Sequence, residues 1–247
     1  MAVSVVIPVF NEAGNVVPLA GEVFAALRGE DIELVFVDDA SADATADEVR
    51  RARAELGPAV ILVRHRQRAG QSTALRTGVR VARHPWVVSL DGDGQNDPAD
   101  IPRMLALLRA PGFDPAVKLV IGDRRAVRRD TWLRKLSSWA ANGVRGAILK
   151  DGVPDTGCGL KLFRRDFFLA LPYFDHMHRF LPALVRQSGG RTLSVPVNHR
   201  PRVRGQSKYG VMNRLFVGVV DLFGVAWLGR RNRLAEWVVD GTETTQT

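Results

Sequence analysis

Apolar residues come in short, nearly unbroken runs through the first half of the chain. Residues 3–9 read VSVVIPV, 32–37 IELVFV, 59–63 AVILV, 86–90 WVVSL and 118–122 KLVIG. Short runs of this kind, without strict apolar–polar alternation, suit strands covered on both faces. Between them the apolar spacing becomes helical, over about 13–28, 43–56, 71–83 and 99–109. Ser41 and Asp43 offer N-caps to the second helix, and Pro98 and Pro102 suit the first turn of the fourth. Strands alternating with helices in this way predict an α/β fold with a mostly parallel central sheet flanked by helices.

The pattern loosens after residue 122. A basic segment, DRRAVRRDTWLRK (123–135), precedes a glycine-rich turn, DTGCGLKLF (155–163). A strand-like RTLSVPVNHRP (191–201) and a basic loop, RVRGQSKYG (202–210), come next, then an apolar helical stretch at about 211–229. No internal repeat or low-complexity linker divides the chain. Residues 1–210 are therefore read as one catalytic domain, and 211–247 as an apolar C-terminal helix with a polar tail rather than a separate fold.

The unusual polar residues sit where the strands end: FNE (10–12), DDAS (38–41), DGDGQND (91–97) and GDRR (122–125). In open α/β sheets ligands bind outside the carboxyl ends of the strands, so these clusters describe one edge of one site. The third packs Asp91, Asp93 and Asp97 into seven residues. Their mutual repulsion would be relieved by a divalent cation facing Asp91 and Asp93, with Gln95 adding a neutral oxygen on the same side. Mg²⁺ prefers such hard oxygens and leaves room for phosphate oxygens in its shell. Taken alone, the Asp-x-Asp also fits a solvated acidic turn. Asp97, just before Pro98, is assigned to capping the next helix.

Charge and composition narrow the partners. Lys plus Arg number 35 against 26 Asp plus Glu, a net +9, which favours an anionic partner: nucleic acid, a phosphorylated small molecule or an anionic membrane surface. One cysteine, Cys158, excludes an internal disulfide and a cysteine-based zinc cluster. The N-terminus shows no basic n-region, so no signal peptide is expected. No apolar run reaches the roughly 20 residues of a spanning helix. Neither Gly-x-Gly-x-x-Gly after the first strand nor Gly-x-x-x-x-Gly-Lys-Ser/Thr occurs, which disfavours dinucleotide dehydrogenases and P-loop NTPases.

VVIPVFNE, VDDAS, DGDGQNDP and DTGCGLKLFRR, in that order, resemble the successive motifs of family 2 glycosyltransferases with the GT-A fold. The closer resemblance is to the dolichyl-phosphate mannosyltransferase and polyprenyl-phosphate glycosyltransferase branch, through GDR (122–124) and RGQSKYG (204–210). Gly92 and Gly94 stand where that branch has larger spacer residues, while the acids and Gln95 remain. The resemblance covers about residues 3–230. It implies an inverting transfer of a sugar from a nucleotide donor, GDP- or UDP-linked, to a polyprenyl phosphate, with Mg²⁺ or Mn²⁺ as cofactor.

The resemblance also implies roles. Pro8, Asn11 and Glu12 would shape the nucleoside pocket, Asp38 or Asp39 would bind base or ribose, and Gln71 would lie near the nucleotide. Arg124 and Arg134, beside Ser137 and Ser138, would clamp the acceptor phosphate with paired hydrogen bonds. Arg202, Arg204 or Lys208 would steady the leaving diphosphate, with Arg202 also near the acceptor phosphate. Asp155 is the family's candidate base for hydroxyl acceptors. A phosphate monoester, with a second pKa near 6, is already a nucleophile at neutral pH and needs no base. His176 and His178 stand open between lining the acceptor site and capping a helix; His65 and His199 receive no role.

Residues 215–228, LFVGVVDLFGVAWL, are apolar except for Asp221 and are followed by Arg230, Arg231 and Arg233. Such a helix can lie in a membrane interface, pack on the domain or meet a partner. The expectation is a peripheral protein on the cytoplasmic face of the membrane, docked directly or through a membrane-protein partner. The rivals are a family 2 transferase acting on a saccharide hydroxyl, a catalytically silent binding subunit, and a basic nucleic-acid-binding module. The last has only Trp132 and Tyr209 to stack bases, and the strand-end acids oppose it.

Overall fold

The first apolar run forms β1 (Ala2–Val9), and the sheet grows from it in both directions. In this computed structural model, which describes residues 1–125, 143, 145–201 and 211–234 (backbone only at 211–216), β1 pairs in parallel with β2 (Asp31–Asp38) on one side and β4 (Trp86–Ser89) on the other. β3 (Val60–Arg64) extends the β2 side. Beyond β4 lie β6 (Lys161–Arg164), β5 (Val117–Asp123) and β7 (Arg191–Pro196), giving the order β3-β2-β1-β4-β6-β5-β7. β6 runs antiparallel to both its neighbours; every other pairing is parallel. The expected α/β sheet is present, with one reversed strand that the apolar pattern did not reveal.

Helices cover both faces. Val3, Val5, Ile7 and Val9 of β1 point to the side packed by α1 (Val16–Ala26), α2 (Thr45–Leu56) and α4 (Ile101–Arg109). Val6, with Val35 and Val37 of β2, points to the side covered by α3 (Gln71–Val81), α5 (Arg165–Ala170), α6 (Leu181–Gln187) and α7 (Val211–Arg231). These opposed faces explain why the runs lack alternation. Val225 of α7 is buried in the same core as α3 and α6.

The order of the strands fixes where a ligand can sit. From β1 the chain moves outward through β2 and β3, then returns to β4 on the far side of β1. Connections that leave two adjacent parallel strands in opposite directions open a crevice at their carboxyl ends. The loops after β1 and β4, residues 10–15 and 90–97, border that crevice.

Two capping expectations fare differently. Asp97 does cap the turn it precedes, its side chain accepting from Ala99 N at 3.0 Å with Pro98 next. α2 instead has Ala44 at its cap. Asp43 accepts from Thr45 N at 3.0 Å just inside the helix, and the Ser41 hydroxyl accepts from Asn11 N at 2.9 Å. Ser41 serves the junction between two strand ends rather than the helix.

Glu33 places a charge inside the sheet. Glu33 of β2 is fully buried and accepts from the Ser4 hydroxyl at 2.6 Å and from both the backbone and the guanidinium of Arg83. Burial pushes its pKa up, but those bonds outweigh it and hold the carboxyl below its ordinary 4.5. A depressed folded pKa gives stability that is full above the unfolded value and is lost as pH falls through the folded one. Glu33→Gln should therefore lower unfolding free energy by about 1–3 kcal/mol near neutrality. The deficit should shrink in acid, as urea titrations at about pH 7 and about pH 4 would show.

Candidate active site

The acid loop begins where β4 stops. Leu90 N still donates to Val6 O at 3.1 Å, so Asp91 emerges at the sheet edge beside β1. Asp91 Oδ1 accepts from Gln71 Nε2 at 2.8 Å, and Gln71 is the first residue of α3. Asp91 N donates to Asn96 Oδ1 at 3.2 Å, closing the loop on itself. Asp93 is 8% exposed, and its Oδ1 accepts from Gln95 N at 3.1 Å. Arg200 N donates to Gln95 O at 2.9 Å, and Asn96 bridges His199, so the segment after β7 lies against the acids.

Two glycines make this crowding possible. A Cβ on Gly92 would come within 2.7 Å of Val9 Cγ1, which explains the small spacer in this Asp-x-Asp. A Cβ on Gly159 would fall 2.1 Å from Asp91 Oδ2. Gly159→Ala must therefore displace the Asp91 carboxylate. Misplacement of a reacting group on this scale lowers turnover on the order of a hundredfold. A kcat assay, with circular dichroism confirming an intact fold, checks it.

Electrostatics bind the loop to its surroundings. Burial first, and Asp93 next, raise the Asp91 pKa, while Lys161, Arg124 and the Gln71 bond oppose the rise. The pair thus carries the like-charge repulsion that a cation would relieve, and its hard oxygens suit Mg²⁺ or Mn²⁺. Among the described residues no cluster of three or more His, Cys, Asp or Glu could hold a metal. Two carboxylates completed by Gln95, water and phosphate oxygens is the composition these residues could offer.

On the β1–β2 side, Asn11 turns the chain with φ 51° and Ala40 with φ 61°. Asn11 Oδ1 accepts from Ala42 N at 2.8 Å, and Glu12 Oε2 accepts from Asn15 Nδ2 at 2.8 Å. Pro8 sits within β1 opposite Val37. Asp38 is fully buried and accepts from Ser41 N at 2.9 Å and Arg64 Nε at 3.1 Å. Asp39 accepts from Ala69 N and Gly70 N, both at 2.8 Å, and lies 2.7 Å from His65 Nδ1. A carboxylate only accepts, so Nδ1 carries a hydrogen; His65 Nε2 reaches Thr77 Oγ1 at 3.0 Å. Arg68 lies over the Phe10 ring, 4.2 Å from its centroid. Both aspartates thus hold the 64–70 loop against β2, and His65, unassigned from sequence, belongs to that brace.

Across the crevice, Arg124 follows β5. Its Nε and Nη2 donate to Asp155 Oδ2 and Oδ1 at 2.8 and 2.9 Å, and its backbone N donates to Oδ2 at 3.2 Å. Both side chains are largely buried, 13% and 9% exposed. Burial works against the guanidinium's charge, but the Asp155 bonds more than compensate and its pKa rises. The structure therefore joins two residues that sequence had given separate roles. Arg134, Ser137, Ser138, Arg202, Arg204 and Lys208 lie outside the described residues, so Arg124 alone represents the phosphate clamp here.

Two further buried groups lie close together, Lys161, whose charge acts on Asp91, and His178, on which Lys161 acts. Lys161 of β6 is buried, and its Nζ donates to Cys158 O. Burial lowers its pKa, against the attraction of Asp91. A lysine inside the apolar LKLF run was the available signal, because an ammonium on a covered strand needs a buried acceptor. His178 Nδ1 lies 2.7 Å from Ser72 Oγ, joining the 177–179 turn to the start of α3. Burial, then Lys161, drive its pKa well down. Cys158 is a buried packing residue.

Residues 4–171 match the family model for glycosyl transferase family 2. The chain belongs to this family. Among family 2 relatives, it is 36% identical over 234 residues to dodecaprenyl-phosphate galacturonate synthase of Rhizobium johnstonii, covering 93% of this chain and 68% of that protein. It is 34% identical over 212 residues to undecaprenyl-phosphate 4-deoxy-4-formamido-L-arabinose transferase of Edwardsiella ictaluri, covering 85% and 63%. The chain thus spans about two thirds of the length of these curated relatives. A mannosyltransferase from Pyrobaculum calidifontis, solved with GDP-Man and Mn²⁺, superposes with a TM-score of 0.66 at 25% identity, covering 95% of this chain and 65% of that one. Glucosyl-3-phosphoglycerate synthase from Mycobacterium tuberculosis, solved with Mg²⁺ and UDP, gives 0.68 at 18% identity, covering 95% and 81%, and bears on the fold alone. The fold is of the GT-A type expected from the motifs.

Proposed function

We propose that this family 2 glycosyltransferase moves a sugar from a nucleotide donor onto a polyprenyl phosphate. The observation that carries the reading is the meeting, at one sheet edge, of the Asp91–Asp93 pair with Arg124, whose charge acts on Asp91. The acids suit a metal-bound diphosphate, and a guanidinium suits a phosphate acceptor. The names of the two curated relatives support the lipid acceptor, and the mannosyltransferase solved with GDP-Man and Mn²⁺ supports the donor and the cation.

In this reading Asp91 and Asp93, with Gln95, would hold Mg²⁺ or Mn²⁺, which would supply positive charge for the departing diphosphate. Asp39, His65 and Asp38 fix the wall against which the nucleoside lies, and Gln71 orients Asp91. Arg124 receives the acceptor phosphate, and Asp155 orients Arg124. The phosphate oxygen attacks the anomeric carbon in line, the bond to the nucleoside diphosphate breaks, and configuration inverts. A hydroxyl acceptor would need a base; Asp155 is already engaged by the Arg124 fork, which favours a phosphate nucleophile that needs none. A lipid tail on the acceptor supports reaction at a membrane surface, and a nucleotide donor supports its cytoplasmic face.

The test is purified protein with Mg²⁺, detergent-dispersed undecaprenyl phosphate and a panel of labelled UDP- and GDP-sugars. Label should enter the lipid fraction with one donor. Label passing only to water-soluble saccharides would replace this reading with the hydroxyl-acceptor one.

A further inference from the structure

α3 begins at the crevice, and its opening residues each meet a side chain distant in sequence. Gln71 Nε2 donates to Asp91 Oδ1 at 2.8 Å, Ser72 Oγ lies 2.7 Å from His178 Nδ1, and Thr73 Oγ1 lies 2.6 Å from Tyr173 Oη. The last two partners come from one segment, 173–178, to which the transfer reaction has so far given no part. The N–H groups of a first helical turn have no partner within the helix, so this turn is the one most free to shift. Neighbours on a helix point about 100° apart around its axis. Ser72 is fully buried in the domain, and Gln71 stands exposed beside the acid loop.

The 173–178 segment aims His178 back at that turn. His176 takes a left-handed conformation, φ 63°, at the entrance to the 177–179 turn. Residues with side chains adopt it rarely, and it persists where the surroundings enforce it. Met177 is buried in the core, and His176 Nδ1 lies 3.3 Å from Asp221 Oδ2 of α7. His178 N then donates to Ser72 Oγ at 3.3 Å, so one hydroxyl meets the same histidine twice. With Oγ accepting from the backbone, its hydrogen goes to Nδ1, and the ring hydrogen sits on Nε2. Burial keeps the ring neutral near neutrality, as the acceptor role of Nδ1 requires.

We infer that His178 is a positioning residue for Asp91, acting through Ser72 and Gln71. It fixes the rotation of the first turn of α3, and that rotation keeps Gln71 Nε2 on Asp91 Oδ1. Asp39 already holds Ala69 N and Gly70 N, both at 2.8 Å, so the helix start is gripped on its two flanks. A dedicated donor matters here because Asp93 repels the Asp91 carboxylate, which would otherwise turn away. The importance of this link for transfer rests on the metal-bound diphosphate proposed above; the link itself can be measured without metal, nucleotide or lipid.

The experiment follows the Gln71 side-chain amide by heteronuclear NMR in the metal-free full chain, assigned by its loss in Gln71→Ala. In His178→Ala and in Ser72→Ala that resonance should move toward the position of a freely hydrated glutamine, with circular dichroism unchanged. Transfer kcat should fall about tenfold in both, less than the roughly hundredfold that a misplacement of about 1 Å costs. Gln71→Ala should lose as much, and adding it to His178→Ala should cost little more, because both remove one chain of contacts. Asparagine places its Oδ1 near the position of Nδ1 and glutamine does not. His178→Asn should therefore regain most of the rate, and His178→Gln should not. An unmoved Gln71 resonance in both alanine variants would overturn the inference, as would losses that multiply to about a hundredfold in the double variant. Equal rates in His178→Asn and His178→Gln would also overturn it, by reducing the ring to packing. A Gln71 resonance that moves in a protein putting no sugar on lipid would sink the proposed acceptor and leave the positioning standing; full lipid transfer by His178→Ala would do the reverse.

Discussion

Replacing Asp93 by asparagine is expected to abolish sugar transfer and leave the fold unchanged. Asparagine has nearly the same shape, and its side-chain oxygen can still accept from Gln95 N, the bond that Asp93 Oδ1 makes at 3.1 Å. The loss is therefore one of charge. A neutral amide is a poor ligand for a hard cation, and the developing charge on the diphosphate would go unmet. A fall of about a thousandfold in kcat/KM corresponds to about 4 kcal/mol of transition-state stabilisation. Mn²⁺ binding, followed by electron paramagnetic resonance of the free ion, should weaken in parallel, and EDTA should reproduce the defect in the wild type. The wild type turning over fully in EDTA would remove the metal from the mechanism. Asp91 should also change: without Asp93 beside it, one of the causes that raise its pKa is gone.

The second large effect is expected at the Arg124–Asp155 pair, where the structure changed the question. The fork joins two largely buried side chains. Arg124→Lys replaces two directed bonds with one point charge, and lipid-phosphate transfer should drop at least about tenfold, or about 1.4 kcal/mol. Asp155→Asn leaves the guanidinium without its counter-charge. Breaking a buried pair from one side is costly, so a deeper loss, on the order of a hundredfold, is expected. The decisive readout is the pH profile. A positioning Asp155 predicts that the variant's kcat/KM keeps the wild-type dependence on pH at a lower level. Disappearance of the acidic limb in Asp155→Asn would make this carboxylate a general base and return the hydroxyl acceptor to favour. Donor binding, measured by calorimetry, should stay near wild type in both variants; its collapse would put Arg124 on the nucleotide side.

The strand runs, the helices between them and the polar strand ends were all legible in the sequence. A strand covered on both faces must be apolar throughout, and residues at its carboxyl end are released from that demand. VSVVIPV followed by FNE, and WVVSL followed by DGDGQND, state both facts locally. The ordered motifs carried the family as well. Tertiary structure alone decided what depends on partners distant in sequence. Nothing near Asp39 announces that Ala69, Gly70 and His65 will fill its carboxylate, and nothing near Arg124 announces that Asp155 will take its fork. The reversed direction of β6 is also absent from the pattern, because a covered strand is equally apolar in either direction. That reversal brings Gly159 against Asp91 and buries Lys161 beside it. Which residues could do chemistry was readable from the chain itself, since side-chain type is local. Their division into ligands, braces and counter-charges came from packing, because a carboxylate's role is set by the donors that reach it.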